Sequence, residues 1–191
     1  MTKVYFVRHA EPIHSWHDDR TRPLSEAGEL DCNKITEYLS TIPVDVFISS
    51  PYKRSFDTIA ESAIQFGKQI TTDERLRERE QGEGYKNIDM IRKRWADFDY
   101  CEPGGETINS TQKRNIEALS EVLVEYEDKN IVIGTHGSAL ATIINHYDKS
   151  FHIESMLRII DYMPYIIRLD FNGSKYSGRE ELLIVDRPYK V

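Results

Sequence analysis

A chain of 191 residues that is 39% hydrophobic and 30% charged has the composition of an ordinary globular protein and the length for one substantial core but not two. Its net charge of −7 excludes the basic excess of a nucleic-acid-binding surface or an anionic-membrane anchor, so any anion site has to be a local basic pocket. No apolar stretch approaches transmembrane length, Met1-Thr2-Lys3 leads straight into a strand pattern with no signal peptide expected, and Cys32 and Cys101 lack metal-type spacing, all of which point to a cytoplasmic protein.

Lys3 to Val7 reads as a fully buried strand that ends at Arg8-His9-Ala10. Ser25 then has the chemistry of an N-cap for a helix of about fourteen residues that turns Leu30, Ile35, Tyr38 and Leu39 to one face and stops before Pro43. Val44 to Ile48 is a second strand, followed by Ser50 as a cap and Pro51 as the first position of a helix to about Phe66, which puts Arg54 in its first turn. Gln69 to Thr72 is a short strand, and Asp73 to Glu83 is a charged segment. Tyr85 to Tyr100 carries Ile88, Met90, Ile91, Trp95 and Phe98 at near-helical spacing, a pattern more often core than cofactor box. Ser110 opens a long amphipathic helix to about Tyr126 bearing Ile116, Leu119, Val122 and Leu123. Ile131 to Gly134 is the strand that delivers His136, and a helix with Leu140, Ile143 and Ile144 follows Ser138. Tyr165 to Phe171 and Leu182 to Val185, with a turn near Asn172-Gly173, form an antiparallel end to the chain. Alternating strand and helix patterns predict an α/β fold: a three-layer αβα sandwich with a mostly parallel central sheet and an antiparallel C-terminal edge.

Two histidines, His9 and His136, thus stand at the carboxyl ends of buried strands, where an open α/β sheet places its ligand crevice. With Arg8 beside one of them, a single site for an anionic group is expected, and phosphoryl transfer through histidine is the chemistry that fits. A neutral imidazole is a good nucleophile toward phosphorus when one nitrogen donates to a backbone carbonyl and the other faces the phosphoryl group, the role assigned to His9. The transition state carries its charge on three equatorial oxygens, and Arg8, Arg54 and His136 are the donors placed around them. Arginine forks match phosphate geometry, and the helix starting near Pro51 adds backbone N–H groups. A phosphate ester also needs its leaving oxygen protonated and a water deprotonated; Glu78 is the candidate for both, with Glu80 its nearest competitor in the same acidic run.

Six elements in order resemble the histidine phosphatase superfamily, also called phosphoglycerate mutase-like: Arg8-His9-Ala10, Leu24-Ser25-Glu26-Ala27-Gly28, Ser49-Ser50-Pro51-Tyr52-Lys53-Arg54, Leu76-Arg77-Glu78-Arg79, Pro103-Gly104-Gly105-Glu106-Thr107 and Thr135-His136-Gly137. The resemblance implies one such domain over 1–191, with a substrate cap inserted near 83–105, and a metal-independent phosphatase that needs no cofactor. It places Gly137 beside the anion and Ser15 where many members carry a phosphate-binding Asn. Pro12 replaces the usual Thr or Ser and offers no donor, so Arg20 or Arg22 would have to supply that part of the shell. His14, His17, Asp18 and Asp19 are too loosely spaced for a metal and fit a pocket wall better; His146 and His152 have no partner motif.

The expected activity is hydrolysis of a small phosphorylated metabolite. A phosphoglycerate-type mutase is the first alternative, disfavoured by Pro12 and by the roughly two dozen residues between Glu78 and Pro103, fewer than mutases of this family usually insert. A catalytically weak phospho-ligand-binding or signalling module is the second, and it would have no need of His9 together with Glu78. Neither a nucleic acid nor a membrane is an expected partner, and no feature of the sequence assigns an oligomeric state.

Overall fold

The computed structural model describes residues 1–84 and 87–188; Tyr85 and Lys86, within the expected cap, lie outside them. Strands β1 (Thr2–Arg8), β2 (Val46–Ser49), β3 (Ile70–Thr72), β4 (Asn130–Thr135), β5 (Tyr162–Asn172) and β6 (Lys175–Asp186) form one open sheet in the order β3-β2-β4-β1-β5-β6. The first four are mutually parallel, and β5 and β6 extend the sheet antiparallel, the expected mixture. β1 and β4 read as continuous apolar runs because both of their faces are covered. Val4, Phe6, Ile131 and Ile133 point into one core cluster, and Tyr5, Val7 and Val132 into the other.

Helices α1 (Glu26–Leu39) and α2 (Lys53–Gln65) cover the second of these faces; α4 (Ile108–Glu125), α5 (Gly137–Tyr147) and α6 (Ile153–Ile159) cover the first. The arrangement is the three-layer α/β sandwich. α1 starts where expected, with the Ser25 hydroxyl accepting from the Gly28 N–H, but Leu30 lies off its apolar stripe and is 63% exposed. Ser25 also donates to the Glu11 carboxylate at 2.9 Å, and its N–H binds the Glu11 carbonyl. Gly28 presses so closely on that carbonyl that a Cβ would collide with it, so this motif clamps the loop leaving β1.

Several boundaries differ from the sequence reading. α2 begins at Lys53 with Tyr52 at its N-cap position; the Ser50 hydroxyl accepts from the Tyr52 N–H at 3.2 Å, just ahead of the helix, and also lies 2.8 Å from His136 Nε2. Thr107, not Ser110, caps α4, accepting from the Ser110 N–H, so that helix starts two residues earlier than expected. α6 was not anticipated: seven residues are too few to display a periodic stripe. β5 begins before Pro164, which sits where the β5–β6 register shifts and beyond the last β1 partner, so no ladder hydrogen bond is lost. The segment read as core contains a helix, α3 (Ile88–Ala96), but none of its residues is buried; it lies over the carboxyl ends of the strands.

Candidate active site

A cleft of about 1000 Å³, counting its open mouth, lies at the carboxyl ends of the parallel strands. β1 delivers Arg8 and His9 to its floor, and both are almost fully buried. The His9 N–H binds the Thr135 carbonyl at 3.1 Å, locking the end of β1 to the end of β4 and so bringing His9 beside His136. Their ring centroids are 5.4 Å apart. His9 Nδ1 lies 2.8 Å from the Ala10 carbonyl, which can only accept; Nδ1 therefore carries the proton and Nε2 the lone pair. The Ala10 N–H in turn binds the Thr58 hydroxyl at 3.0 Å, and that hydroxyl donates to the Arg54 carbonyl, so the loop after β1 and the first turn of α2 move as one piece.

Arg54 is 3% exposed and faces the cleft, where it donates to the Asp19 carbonyl at 2.6 Å and pairs with its carboxylate at 3.3 Å. Asp57, one turn further along α2, pairs with Lys53 and not with Arg54. The Arg8 guanidinium donates to the Ile159 carbonyl and lies flat against Gly137; a Cβ on Gly137 would come within 3.3 Å of it. A side chain at position 137 would oblige the Arg8 guanidinium to shift by a few tenths of an ångström. His136 is fully buried, with Nε2 held by the Ser50 hydroxyl and Nδ1 meeting no hydrogen-bond partner among the described residues. His136 lies behind the residues that line the cleft, next to Gly137, which does line it.

Glu78 reaches the cleft and Glu80 does not: Glu80 is exposed and lines no part of it. The Glu78 carboxylate accepts from three backbone N–H groups, those of Arg79 at 2.8 Å, Ser138 at 3.0 Å and Ala139 at 2.9 Å. Two of these open α5, so the carboxylate sits on the positive end of that helix, one turn from His136. Sequence reasoning missed the residue that holds this loop in place. Arg114, on α4, donates to the carbonyls of Arg75 at 2.6 Å, Arg77 at 2.7 Å and Glu78 at 3.0 Å. It is anchored in turn by Glu106 at 2.7 Å. Burial alone would raise the Glu106 carboxyl, but the Arg114 guanidinium overrides it and holds it at about 2. The only signal was the charge of Arg114 within an apolar helix face, which does not announce a fold into loop carbonyls.

Ser15, expected to touch substrate, is exposed and outside the cleft lining, because the loop after Pro12 turns His14 inward in its place. Arg22 lines the cleft, paired with Asp19 at 2.9 Å, while Arg20 is bound to Glu74 on the surface. Among the described residues, no group of three or more His, Cys, Asp or Glu side chains is placed to hold a metal, and no helix is long and apolar enough to cross a membrane.

Burial, reinforced by Arg54 and Arg8, pushes the His9 imidazole well below its usual value; burial, Arg54 and His9 do the same to His136. Both rings stay neutral in the folded chain as the pH falls below about 6.5, whereas the unfolded chain takes up two protons there. Stability is therefore fully present above about pH 6.5 and declines as the pH drops toward the folded-state values, by about 1.4 kcal/mol per pH unit for each group. Urea midpoints measured between pH 7.5 and 5.5 are expected to fall, and to fall less steeply in a His9→Asn/His136→Asn variant; equal slopes would contradict the assignment.

The sequence pattern of the histidine phosphatase superfamily (branch 1) matches residues 4–178. Phosphoserine phosphatase 1 of Hydrogenobacter thermophilus is 29% identical over 150 residues, covering 71% of each chain. A probable phosphoglycerate mutase GpmB of Salmonella choleraesuis is 28% identical over 161 residues, covering 76% of this chain and 74% of its own. The solved structure of Bacillus stearothermophilus YhfR superposes with a TM-score of 0.76 at 22% identity, covering 93% of this chain and 95% of that one, a likeness of fold.

Proposed function

The chain belongs to the histidine phosphatase superfamily (branch 1), and on that footing we propose that it is a phosphomonoesterase acting on a small phosphorylated metabolite through a phosphohistidine at His9. The observation that carries the reading is the His9 tautomer. With Nδ1 bound to the Ala10 carbonyl and the ring kept neutral by burial, Nε2 is an available nucleophile between Arg8 and Arg54. In the first step the Nε2–P bond forms as the ester P–O bond breaks, and the departing oxygen takes a proton from Glu78. In the second, water attacks phosphorus, its proton passes to Glu78, the N–P bond breaks and phosphate leaves. Arg8, Arg54 and His136 stabilise the equatorial oxygens; the unpartnered Nδ1 of His136 is the atom on that ring which a phosphoryl oxygen would satisfy. Gly137 leaves the Arg8 fork room to lie flat, and Arg22 is in place to take up the shell that Pro12 cannot supply. No step calls for a metal or cofactor, and turnover is expected to survive EDTA. The whole chain acts as one such unit in the cytoplasm, with α3 as the cap.

Hydrolysis is favoured over mutase activity by Pro12, which removes a donor needed to retain a doubly phosphorylated intermediate, and by the short segment carrying α3. With 3-phosphoglycerate, phosphorus NMR is expected to show free phosphate, however slowly, with no 2-phosphoglycerate and no stimulation by 2,3-bisphosphoglycerate. Interconversion of the two isomers without phosphate release would establish the mutase instead. A pure phospho-ligand-binding role would leave the pairing of a neutral His9 with a buried Glu78 without purpose.

A further inference from the structure

The cleft is lined by two kinds of surface. Arg8, His9 and Arg54 are polar. Ile88, Ile91 and Trp95 of α3, Met156 of α6, and Ile160 and Met163 beyond it are apolar. Ile88, Ile91 and Trp95 are spaced three and four residues apart, a single helical stripe. In a globular helix such a stripe is normally sunk in a core, yet α3 has no buried residue and Ile88 is 49% exposed. Ile91 and Trp95 are partly buried against the edge of the core, and all three residues also line the cleft.

Two further arginines line the cleft, Arg79 and Arg94, and both are already committed. Arg94 grips the Glu102 carboxylate with Nε at 2.9 and 3.1 Å and Nη2 at 2.8 Å. Arg79 donates to the carbonyls of Glu80 at 2.9 Å and Glu106 at 2.8 Å and lies 3.8 Å from the same Glu102. Glu102 is 4% exposed, so drawing Arg94 off it to serve a ligand would strand a buried carboxylate. Arg22 and Arg54 share Asp19, and Arg79 and Arg94 share Glu102, so neither Arg79 nor Arg94 is left over for a second anionic group on the ligand.

We infer that the substrate is the phosphate monoester of an uncharged, largely apolar alcohol of roughly aromatic-ring size or larger, with no carboxylate or second phosphate, and that Trp95 and Ile88 set this preference. This rests on the reading that His9 receives the phosphoryl group. The ester's phosphate lies at His9, and its apolar body runs outward along α3.

The test compares alkyl esters whose leaving groups differ little in basicity: 3-phenylpropyl phosphate, ethyl phosphate and 3-phosphoglycerate. The phenylpropyl ester is expected to exceed ethyl phosphate in kcat/KM by about 10- to 100-fold, the worth of burying a ring, chiefly through KM. It should exceed 3-phosphoglycerate by at least as much. Trp95→Ala is expected to bring the ratio of kcat/KM for the phenylpropyl ester to that for ethyl phosphate down to a few-fold, a ratio that a general loss of activity would not change. Ile88→Ser, at a half-exposed position that the fold does not need, should do the same to a smaller degree. Binding of the non-hydrolysable 3-phenylpropylphosphonate and 3-phosphonopropionate is measured alongside by calorimetry. A preference for the former that is lost in Trp95→Ala upholds the inference even if no ester is turned over, a result that would fail the phosphatase reading alone. Equal or better use of the carboxylated ligands, or no response to either variant, overturns the inference and leaves the phosphatase reading standing.

Discussion

Replacing His9 with alanine is expected to lower kcat by at least about 10⁴-fold, the scale on which enzymes lose activity when their nucleophile is removed. The loss should be chemical and not structural. His9 gives the fold one hydrogen bond, to Ala10, worth about 1 kcal/mol, and the His9 N–H that ties β1 to β4 belongs to the backbone and survives the change. The unfolding midpoint should therefore move little at neutral pH. Wild-type protein mixed with labelled ester and denatured without acid should carry label on histidine, stable to base and labile to acid; the variant should carry none. Label on serine or aspartate, or near-normal turnover by the variant, would end the phosphohistidine reading.

The second large effect is expected at Glu78. Glu78→Gln removes the transferable proton and should cost about 10²- to 10⁴-fold on alkyl esters, whose leaving oxygens need protonation, but far less on an aryl phosphate such as p-nitrophenyl phosphate. The substitution also has a structural side. One carboxylate oxygen accepts from Arg79 and Ala139 and the other from Ser138, so a glutamine can keep the first pair while its amide nitrogen faces the Ser138 N–H and loses that bond. A merely loosened start to α5 would slow both substrate types alike, which is the outcome that would reassign Glu78 to a structural role. The leaving-group dependence separates the two.

The parts of the fold legible in the sequence were those whose signal is local. β1 and β4 announce themselves because strands covered on both faces are continuous apolar runs, and α1 because Ser25 both caps it and precedes a stripe. His9 and His136 were legible because position at a strand's carboxyl end is itself a functional signal. What stayed hidden depends on distant partners. The Ser50 hydroxyl meets the Tyr52 N–H ahead of α2 but also reaches His136, 86 residues away. Arg114 supports the Glu78 loop from 36 residues downstream. Ser15 was placed by the register of a motif, and the register did not survive the turn that brings His14 inward. The apolar stripe of α3 was read as helical and as both core and cap, and Ile91 and Trp95 do pack on the core while lining the cleft, since a pattern cannot say how protein and ligand will share its cover.

The position of β1 has a consequence for how the protein comes into being. It is the earliest strand in the chain, yet its neighbours in the sheet are β4, whose residues 130–135 arrive late, and β5, residues 162–172. Until those segments have left the ribosome, the strand ending in Arg8 and His9 has no edge to join, and its apolar run waits unpaired. The strand that carries His9 is therefore seated only after β4 and β5 are present, although it precedes both in the chain. Because residues 8, 54, 78 and 136 come together only when that central strand is seated, the anion site proposed for them would exist only in the completed fold. Phosphate-dependent protection from unfolding thus offers a count of finished molecules in a population that still contains partial ones.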